Sequence, residues 1–202
     1  MSVAEAISNH EPLIIATPQP DLVSSKLAHL PHRNRICIVD IDTNDTWARD
    51  FGPITVETDG VPVALDFKFN GWGLKFASDK DNLINRALKN KGFIAAELVN
   101  HLGFVLEGGS IESDGNGTIM TTSNCLLSPN RNGEMSRQDI QDYLMQQFGA
   151  RQVLWVDHGE LAGDDTDSHI DTLARFLPGN IIAYTRCQDN NDCHYAELEL
   201  MH

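Results

Sequence analysis

The segment GDDTDSHID places one histidine among several carboxylates: around His169 lie Asp164, Asp165, Asp167 and Asp171. An imidazole beside a carboxylate can move a proton near neutral pH, whereas carboxylates at alternate positions with a histidine can hold a divalent cation. A polar loop before a buried strand is the third interpretation. No second histidine lies at ligand spacing, and the glycine and glutamate of an EF-hand loop are absent. The local sequence makes a metal site the least favoured interpretation, and it leaves open both acid/base chemistry at His169 and Asp171 and a polar loop shaped by the other aspartates.

Two further stretches combine acids with residues that suit a binding site. In NDTWARDFGPI, Trp47 precedes Arg49 and Asp50 in a polar loop, where a tryptophan usually packs or stacks on something. In LEGGSIE, Glu107 follows an apolar strand and precedes two glycines, which let another group approach the backbone closely. The alternatives are a tryptophan over the core edge beside an Arg49–Asp50 ion pair, and a bulged strand end.

The apolar pattern predicts elements that recur along the chain. We expect a strand at 34–42, a hairpin at 53–69 around Asp59-Gly60, and a helical segment at 79–101 interrupted at Gly92. The pattern then predicts strands within 104–127, a helix at 136–148 with Ser136 as N-cap, a strand at 151–157, and a strand-turn-strand segment from His169 onward. In an extended segment His169 and Asp171 would face the same way.

Three acids occupy similar places in this recurring pattern. Asp50, Glu107 and Asp171 each precede a glycine in a hairpin turn, by 10, 8 and 8 positions. If the repeats are related by rotation about an axis, the three acids point to one place. Carboxylates gathered in this way suit a planar cation such as guanidinium, whose N–H groups they accept in bidentate fashion.

The composition limits the classes of partner. The chain has 29 acidic residues against 15 Lys and Arg, a formal charge of −14. Nucleic acid and anionic membranes need clustered cations, so we expect neither as a partner and expect a small cationic substrate instead. At 41% hydrophobic and 22% charged, without a signal-peptide pattern, the chain reads as one cytoplasmic globular domain over residues 1–202.

The chain has four cysteines, Cys37, Cys125, Cys187 and Cys193, without zinc-type spacing. We expect reduced thiols. Cys193 stands next to His194, the one pairing that suggests a nucleophile and its base.

Four motifs in order, WARDFGP, NGWG, LEGGSIE and GDDTDSHIDTLARF, resemble those of the guanidino-group modifying enzymes, specifically the agmatine deiminases and the bacterial-type peptidylarginine deiminases. The resemblance covers the chain from residue 34 onward. It implies an α/β fold, the α/β propeller called the pentein fold, with about three of its five pseudo-symmetric strand-and-helix units present.

The resemblance also implies roles for five residues. Asp50 and Asp171 would clamp the substrate guanidinium, and Glu107 would hydrogen-bond the imidazole and help to orient the substrate. His169 would protonate the departing ammonia and then deprotonate the attacking water. Trp47 would line the pocket. Neither a cofactor nor a metal is implied.

The family's nucleophile is a cysteine in a Gly-rich His-Cys motif near the end of a longer chain, and no cysteine here matches it. We therefore expect a fragment that lacks the C-terminal catalytic-cysteine region, that binds guanidines poorly and does not turn them over alone. An uncovered sheet edge would favour self-association.

The expected reaction is hydrolysis of agmatine to N-carbamoylputrescine and ammonia through a thiouronium intermediate, in putrescine and polyamine biosynthesis. Peptidyl-arginine or arginine is the alternative substrate within the family. A non-catalytic cation- or partner-binding module, and a metal-dependent hydrolase built on GDDTDSHID, are the alternatives from other classes.

Overall fold

A computed structural model describes residues 3–201 and shows a mixed α/β chain. Its helices and helical turns are α1 (Val3–Ser8), α2 (Pro20–Leu27), α3 (Ala48–Phe51), α4 (Gly71–Leu74), α5 (Asp81–Asn90), α6 (Ser123–Leu126), α7 (Pro129–Asn132), α8 (Arg137–Phe148), α9 (Ile170–Leu173) and α10 (Tyr195–Met201). Its strands are β1 (Leu13–Thr17), β2 (Ile36–Asp40), β3 (Ile54–Thr58), β4 (Val61–Lys68), β5 (Glu97–Val105), β6 (Ile111–Ser113), β7 (Thr118–Thr122), β8 (Gln152–Val156), β9 (Ala174–Leu177) and β10 (Ile181–Tyr184). Among residues 3–201, no helix has the length and apolar character needed to cross a membrane.

The chain divides into two compact units. The first comprises the chain up to Thr46 together with Ser78–Ala95, and the second comprises Trp47–Ala77 and the chain from Ala96 onward. In the first unit, β1 and β2 pair in parallel, and the buried carboxylate of Asp81 accepts hydrogen bonds from the backbone N–H groups of Asn44 and Asp45. The single domain over residues 1–202 stays a prediction.

The second unit contains two three-stranded sheets with the same topology. In each, a hairpin is followed by a strand that pairs in parallel with the second hairpin strand: β3-β4-β5 in one sheet and β6-β7-β8 in the other. The hairpin β9-β10 follows. A short helical turn precedes the first strand of each hairpin: α3, the 3₁₀ turn Gly108–Ser110, and α9. The predicted repetition of strands and turns is therefore present.

The core of the second unit explains why these elements hold their places. Apolar side chains of β4, β5, β6 and β7 pack with those of α6 and α8; the buried members are Leu65, Phe67, Phe104, Leu106, Ile111, Ile119, Cys125, Leu126, Ile140 and Leu144. Helix α8 has the predicted bounds because Ser136 and Asp139 form a capping box at its start and Gly149 adopts the left-handed conformation after its end. Burial of this apolar surface stabilises the packing of the strands and helices, and this packing holds in place the turns that carry the site residues.

Two sequence predictions were wrong in detail. Residues 93–101 were predicted as part of a helical segment, but the helix ends at Asn90 and Glu97–Val105 is a strand paired with β4. Gly92 has φ of +81° and breaks the helix, and the apolar residues that follow gain a strand partner. His169 and Asp171 were placed in a strand, but Asp171 lies in the helical turn α9 and the strand begins at Ala174.

Candidate active site

Gly109 marks the point at which three side chains meet. A methyl group on its Cα would come within 2.6 Å of His169 Nδ1, 2.7 Å of Asp171 Oδ2 and 2.8 Å of Asp50 Oδ1. The sequence predicted all three as site residues. Only a glycine at this position lets all three side chains approach the backbone so closely.

The repeated topology brings these residues together. Asp50 lies in α3, Gly109 in the 3₁₀ turn Gly108–Ser110, and Asp171 in α9, with His169 directly before that helix. Because each turn precedes the first strand of its hairpin, side chains that are distant in sequence come from equivalent places in successive repeats. Asp50 and Asp171 thus point to one place, whereas Glu107, the third acid of the expectation, contacts the other nitrogen of the His169 imidazole.

Asp50 is held in a fixed orientation by donors on both of its oxygens. The backbone N–H of Gly109 donates to Oδ1 at 2.9 Å, and the indole Nε1–H of Trp72 donates to Oδ2 at 3.0 Å. The residue is only 7% exposed. A carboxylate oriented in this way is preorganised to accept N–H groups from a cationic ligand.

His169 and Glu107 form a buried pair. Imidazole Nε2 lies 2.8 Å from Glu107 Oε2, and both residues are almost completely removed from solvent. The other ring nitrogen, Nδ1, lies 3.6 Å from Asp50 Oδ1 and faces the space around Gly109. Nε2 therefore faces Glu107, and Nδ1 is the nitrogen that can exchange a proton with a ligand.

The surroundings of His169 favour the protonated imidazole. Burial acts to lower the pKa of the imidazole, but hydrogen bonds to Cys125 and Glu107 and the attraction of those groups outweigh it and raise the pKa to about 10. The imidazolium is thus the form present at neutral pH, and it can act as an acid.

Asp171 differs from an ordinary surface carboxyl. Burial raises its pKa, and the charge of Asp50 raises it further, while the charges of His169, Arg49 and Arg175 lower it. Asp171 and Asp50 lie close enough for their charges to repel, and a guanidinium bound between them would relieve that repulsion.

Trp72 is a site residue to which the sequence analysis gave no role. Its backbone N–H donates to Glu107 Oε1 at 3.1 Å and its indole donates to Asp50. It reaches both because α4 is a left-handed turn in which Trp72 has φ of 55°, stabilised by the side chain of Asn70, which accepts from the N–H of Gly73. The two glycines of NGWG were the available signal for this unusual backbone.

Trp47, which was predicted to line the pocket, packs edge-on against Trp72 with ring centroids 6.4 Å apart. It remains 57% exposed, so it does not cover the core as the alternative interpretation proposed. Its indole stands at the surface beside the Trp72–Asp50 contact. Its role in binding stays a prediction.

Comparison with known proteins shows the family to which a chain with this arrangement of side chains belongs. The family model of the Porphyromonas-type peptidyl-arginine deiminases matches residues 1–202. The chain belongs to this family. A protein of Shewanella baltica strain OS195, provisionally named agmatine deiminase, is 36% identical over 201 residues, which cover 96% of this chain and 52% of that protein. The chain thus spans about half the length of the curated relatives it matches.

Solved structures of related proteins have the same fold as this deiminase-family chain. A provisionally named arginine deiminase from Porphyromonas gingivalis superposes with a TM-score of 0.93 at 47% identity and covers 98% of this chain and 59% of that one. A cysteine-to-serine variant of the C. jejuni agmatine deiminase, solved with substrate bound, gives a TM-score of 0.89 at 39% identity and covers 98% of this chain and 57% of that one. The predicted family and the pentein α/β propeller fold class are confirmed.

Arg131 is the second residue of this deiminase-family site that sequence reasoning missed. Its Nη2 lies 2.7 Å from Glu107 Oε2, and both side chains are 0% exposed. It also contacts Asp167 at 3.2 Å. In the sequence NRN, Arg131 resembles an ordinary exposed arginine. Nothing in the neighbouring residues indicates that its partner is the buried Glu107.

The loop aspartates of this family member make local contacts. Both oxygens of Asp164 accept hydrogen bonds from Thr166 and Ser168, which lowers its pKa against the effect of burial, and Asp167 pairs with Arg131 and Lys75. These contacts support the interpretation that the aspartates shape the loop.

Within residues 3–201, two groups of side chains have metal-ligand atoms close enough to share an ion: Glu107, Cys125 and His169, and Asp192, Cys193 and His194. In the first group Glu107 Oε2 is already bound by Arg131 and His169, so a cation there would have to displace the guanidinium. In the second group Cys193 is exposed, with Sγ 3.5 Å from His194 Nδ1.

The thiols of this deiminase-family chain are all free. Cys125 lies in α6 and is completely buried, with its thiol within 4.8 Å of the side-chain ligand atoms of Glu107 and His169. Its burial separates it from solvent-borne ligands. The expectation that no cysteine of this chain is the nucleophile stays a prediction.

Proposed function

We propose that this chain carries the guanidinium-binding and proton-transfer part of a hydrolase that deiminates agmatine, giving N-carbamoylputrescine and ammonia. The observation that carries the proposal is the convergence of Asp50, Asp171 and His169 around Gly109. Two carboxylates can accept the N–H groups of one guanidinium. The imidazole Nδ1 then stands beside the nitrogen that must leave.

The proposed reaction proceeds in two steps. A thiolate attacks the guanidinium carbon, and the C–N bond breaks as the imidazolium of His169 gives its proton to the departing ammonia. Water then attacks the carbon of the S-alkylthiouronium and passes one proton to the imidazole. The C–S bond breaks to release the carbamoyl product and the thiolate, and the remaining hydroxyl proton passes to solvent, where the ammonia takes it up as ammonium. We assign the thiolate to none of Cys37, Cys125, Cys187 and Cys193.

The raised pKa of His169 fits the order of these steps. An imidazole whose pKa is about 10 is protonated when the substrate arrives, so it begins as the acid. After the ammonia has taken its proton, the same nitrogen is free to accept one from water.

Agmatine is the preferred substrate within this proposal, with arginine and peptidyl-arginine as alternatives. The net charge of −14 attracts a dication such as agmatine more strongly than zwitterionic arginine. The reaction would belong to putrescine biosynthesis. It would take place in the cytoplasm, because cysteines there are commonly free thiols, as the cysteines of this chain are.

Binding of agmatine to the chain tests the proposal. We expect weak binding, with Kd on the order of millimolar, seen in NMR titration as shifts at Gly109 and Trp72. Asp50→Asn and Asp171→Asn should each weaken it by roughly tenfold or more, since a charge-assisted hydrogen bond is lost. Asp59→Asn, in the exposed hairpin turn, removes the same charge and should bind as the wild type does.

Putrescine, which lacks the guanidinium, is the ligand control and should not shift these resonances. Equal binding of putrescine and agmatine would point to a general cation-binding module. Release of ammonia from agmatine by the chain alone would contradict the assignment of the nucleophile and direct attention to Cys193. Stoichiometric zinc, calcium or manganese in the purified protein would favour the metal-dependent alternative.

Self-association is part of the same proposal. All four side chains of β10 are exposed, and among the described residues this strand pairs only with β9, which leaves an apolar edge open to a second copy. We expect sedimentation coefficients that rise with concentration and that fall in Ile182→Lys. Leu83→Lys, at an exposed position in α5, should sediment as the wild type does. A monomer at every concentration would contradict this expectation.

A further inference from the structure

The guanidinium of Arg131 has all of its donors engaged. Nε and Nη2 both donate to Glu107 Oε2, at 3.1 and 2.7 Å. Nη2 also donates to the carbonyl of Thr166 at 2.9 Å, and Nη1 donates to the carbonyl of Cys125 at 3.3 Å and to Asp167 at 3.2 Å. These contacts use the five N–H groups that an arginine has. Arg131 therefore has no donor left for a substrate, and any role in catalysis must be exerted through Glu107.

Glu107 is fixed from three directions. Oε2 accepts from Arg131 and from the imidazole Nε2, and Oε1 accepts from the backbone N–H of Trp72. The carboxylate is 0% exposed, so no water competes for these positions. Because both oxygens of Glu107 accept from N–H donors, the carboxylate also acts as the acceptor toward the imidazole, which requires that Nε2 carry a proton.

We propose that Arg131 is a positioning residue that locks Glu107 as the acceptor for Nε2–H, so that Nδ1 of His169 is the nitrogen that exchanges protons with the substrate. This inference rests on the proposed deimination. It adds that the imidazole of His169 can release and take up a proton only while the guanidinium of Arg131 holds Glu107 in place. Without Arg131 the buried carboxylate would compete for the imidazole proton, and the pair would become a carboxylic acid and a neutral imidazole.

Other groups around the imidazole contribute to its titration. They are Glu107, Cys125, Asp50, Asp171 and Asp164. Arg131 differs from them because it contacts Glu107 and not the ring. Lys75 lies at the outer end of the same network: it pairs with Asp167, which pairs with Arg131.

Nitrogen-15 NMR of the imidazole in the full chain tests the proposal. In the wild type at neutral pH we expect both His169 nitrogens to be protonated, and we expect Nδ1 to lose its proton first as the pH rises. Arg131→Gln should show a neutral imidazole at neutral pH and lose the Nε2–H···Oε2 proton signal. Arg131→Lys, which keeps the charge with fewer donors, should restore the imidazolium. Lys75→Gln should match the wild type.

Each outcome of these NMR measurements supports or contradicts the proposed role of Arg131. Loss of the proton from Nε2 before Nδ1 in the wild type would overturn the proposal without any variant, so a failure of Arg131→Gln to fold does not leave it untested. An unchanged imidazolium in folded Arg131→Gln would also overturn it. Agmatine affinity, which we assign to Asp50 and Asp171, should change less than about tenfold in Arg131→Lys. A wild-type chain that binds no guanidine yet shows the expected nitrogen spectra would refute the proposed function and leave the positioning of Glu107 standing.

Discussion

Gly109→Ala is expected to abolish guanidine binding and to lower the stability of the chain. The added methyl group would lie 2.6–2.8 Å from His169, Asp171 and Asp50, closer than non-bonded atoms approach one another. It would occupy the space in which the guanidinium is proposed to bind. Because Asp50 and His169 are anchored by hydrogen bonds, they cannot move away without breaking them, and we expect a loss of about 1–3 kcal/mol in the free energy of unfolding. Agmatine titration by NMR and urea unfolding measure the two effects.

Gly103→Ala is the matched control for this change. Gly103 lies in β5, has no atom within 4 Å of the position that a Cβ would take, and shows no positive φ. A glycine-to-alanine change at such a position reduces the entropy of the unfolded chain, so we expect an unchanged or slightly raised stability, by up to about 1 kcal/mol, with wild-type binding. Agmatine binding by Gly109→Ala with wild-type affinity would show that the guanidinium does not bind between these three side chains.

A rise in pH from 7 to 10 is expected to destabilise the chain through His169. The folded-state pKa of about 10 lies above the ordinary value of 6.5. The resulting stabilisation is therefore fully present below about pH 6.5 and is lost as the pH rises toward about 10. For a coupled buried pair we expect a decrease on the order of 2–4 kcal/mol in the free energy of unfolding, measured by urea unfolding at successive pH values.

His169→Asn should flatten this dependence on pH, because the titrating group is gone. His29→Asn, at an exposed position, should keep the wild-type slope and serves as the control. The raised pKa of Asp171 acts with the same sign, since a carboxyl whose pKa is higher in the folded chain also loses its stabilising effect as the pH rises. A wild-type slope in His169→Asn would show that other groups cause the alkaline loss.

Short-range sequence signals were enough to predict several secondary-structure elements. The Asp59-Gly60 hairpin and the capped helix, predicted at 136–148 and observed at Arg137–Phe148, were found because their signals lie within a few residues of each other. The segment 93–101 was mistaken for helix because its apolar residues suit either state. Only the parallel pairing of β5 with β4, a contact between distant segments, decides that it is a strand.

The sequence by itself determined the family and the fold class, and it pointed to Asp50, Glu107, His169 and Asp171, because these residues stand in recognisable local motifs. Tertiary structure alone revealed Trp72 and Arg131 as partners of Glu107, from which they are 35 and 24 positions away. Hydrogen bonds of this kind depend on direction and burial, which only the packed chain defines. The convergence of Asp50, His169 and Asp171 on Gly109 is decided in the same way, since it arises only where three turns of the repeat meet.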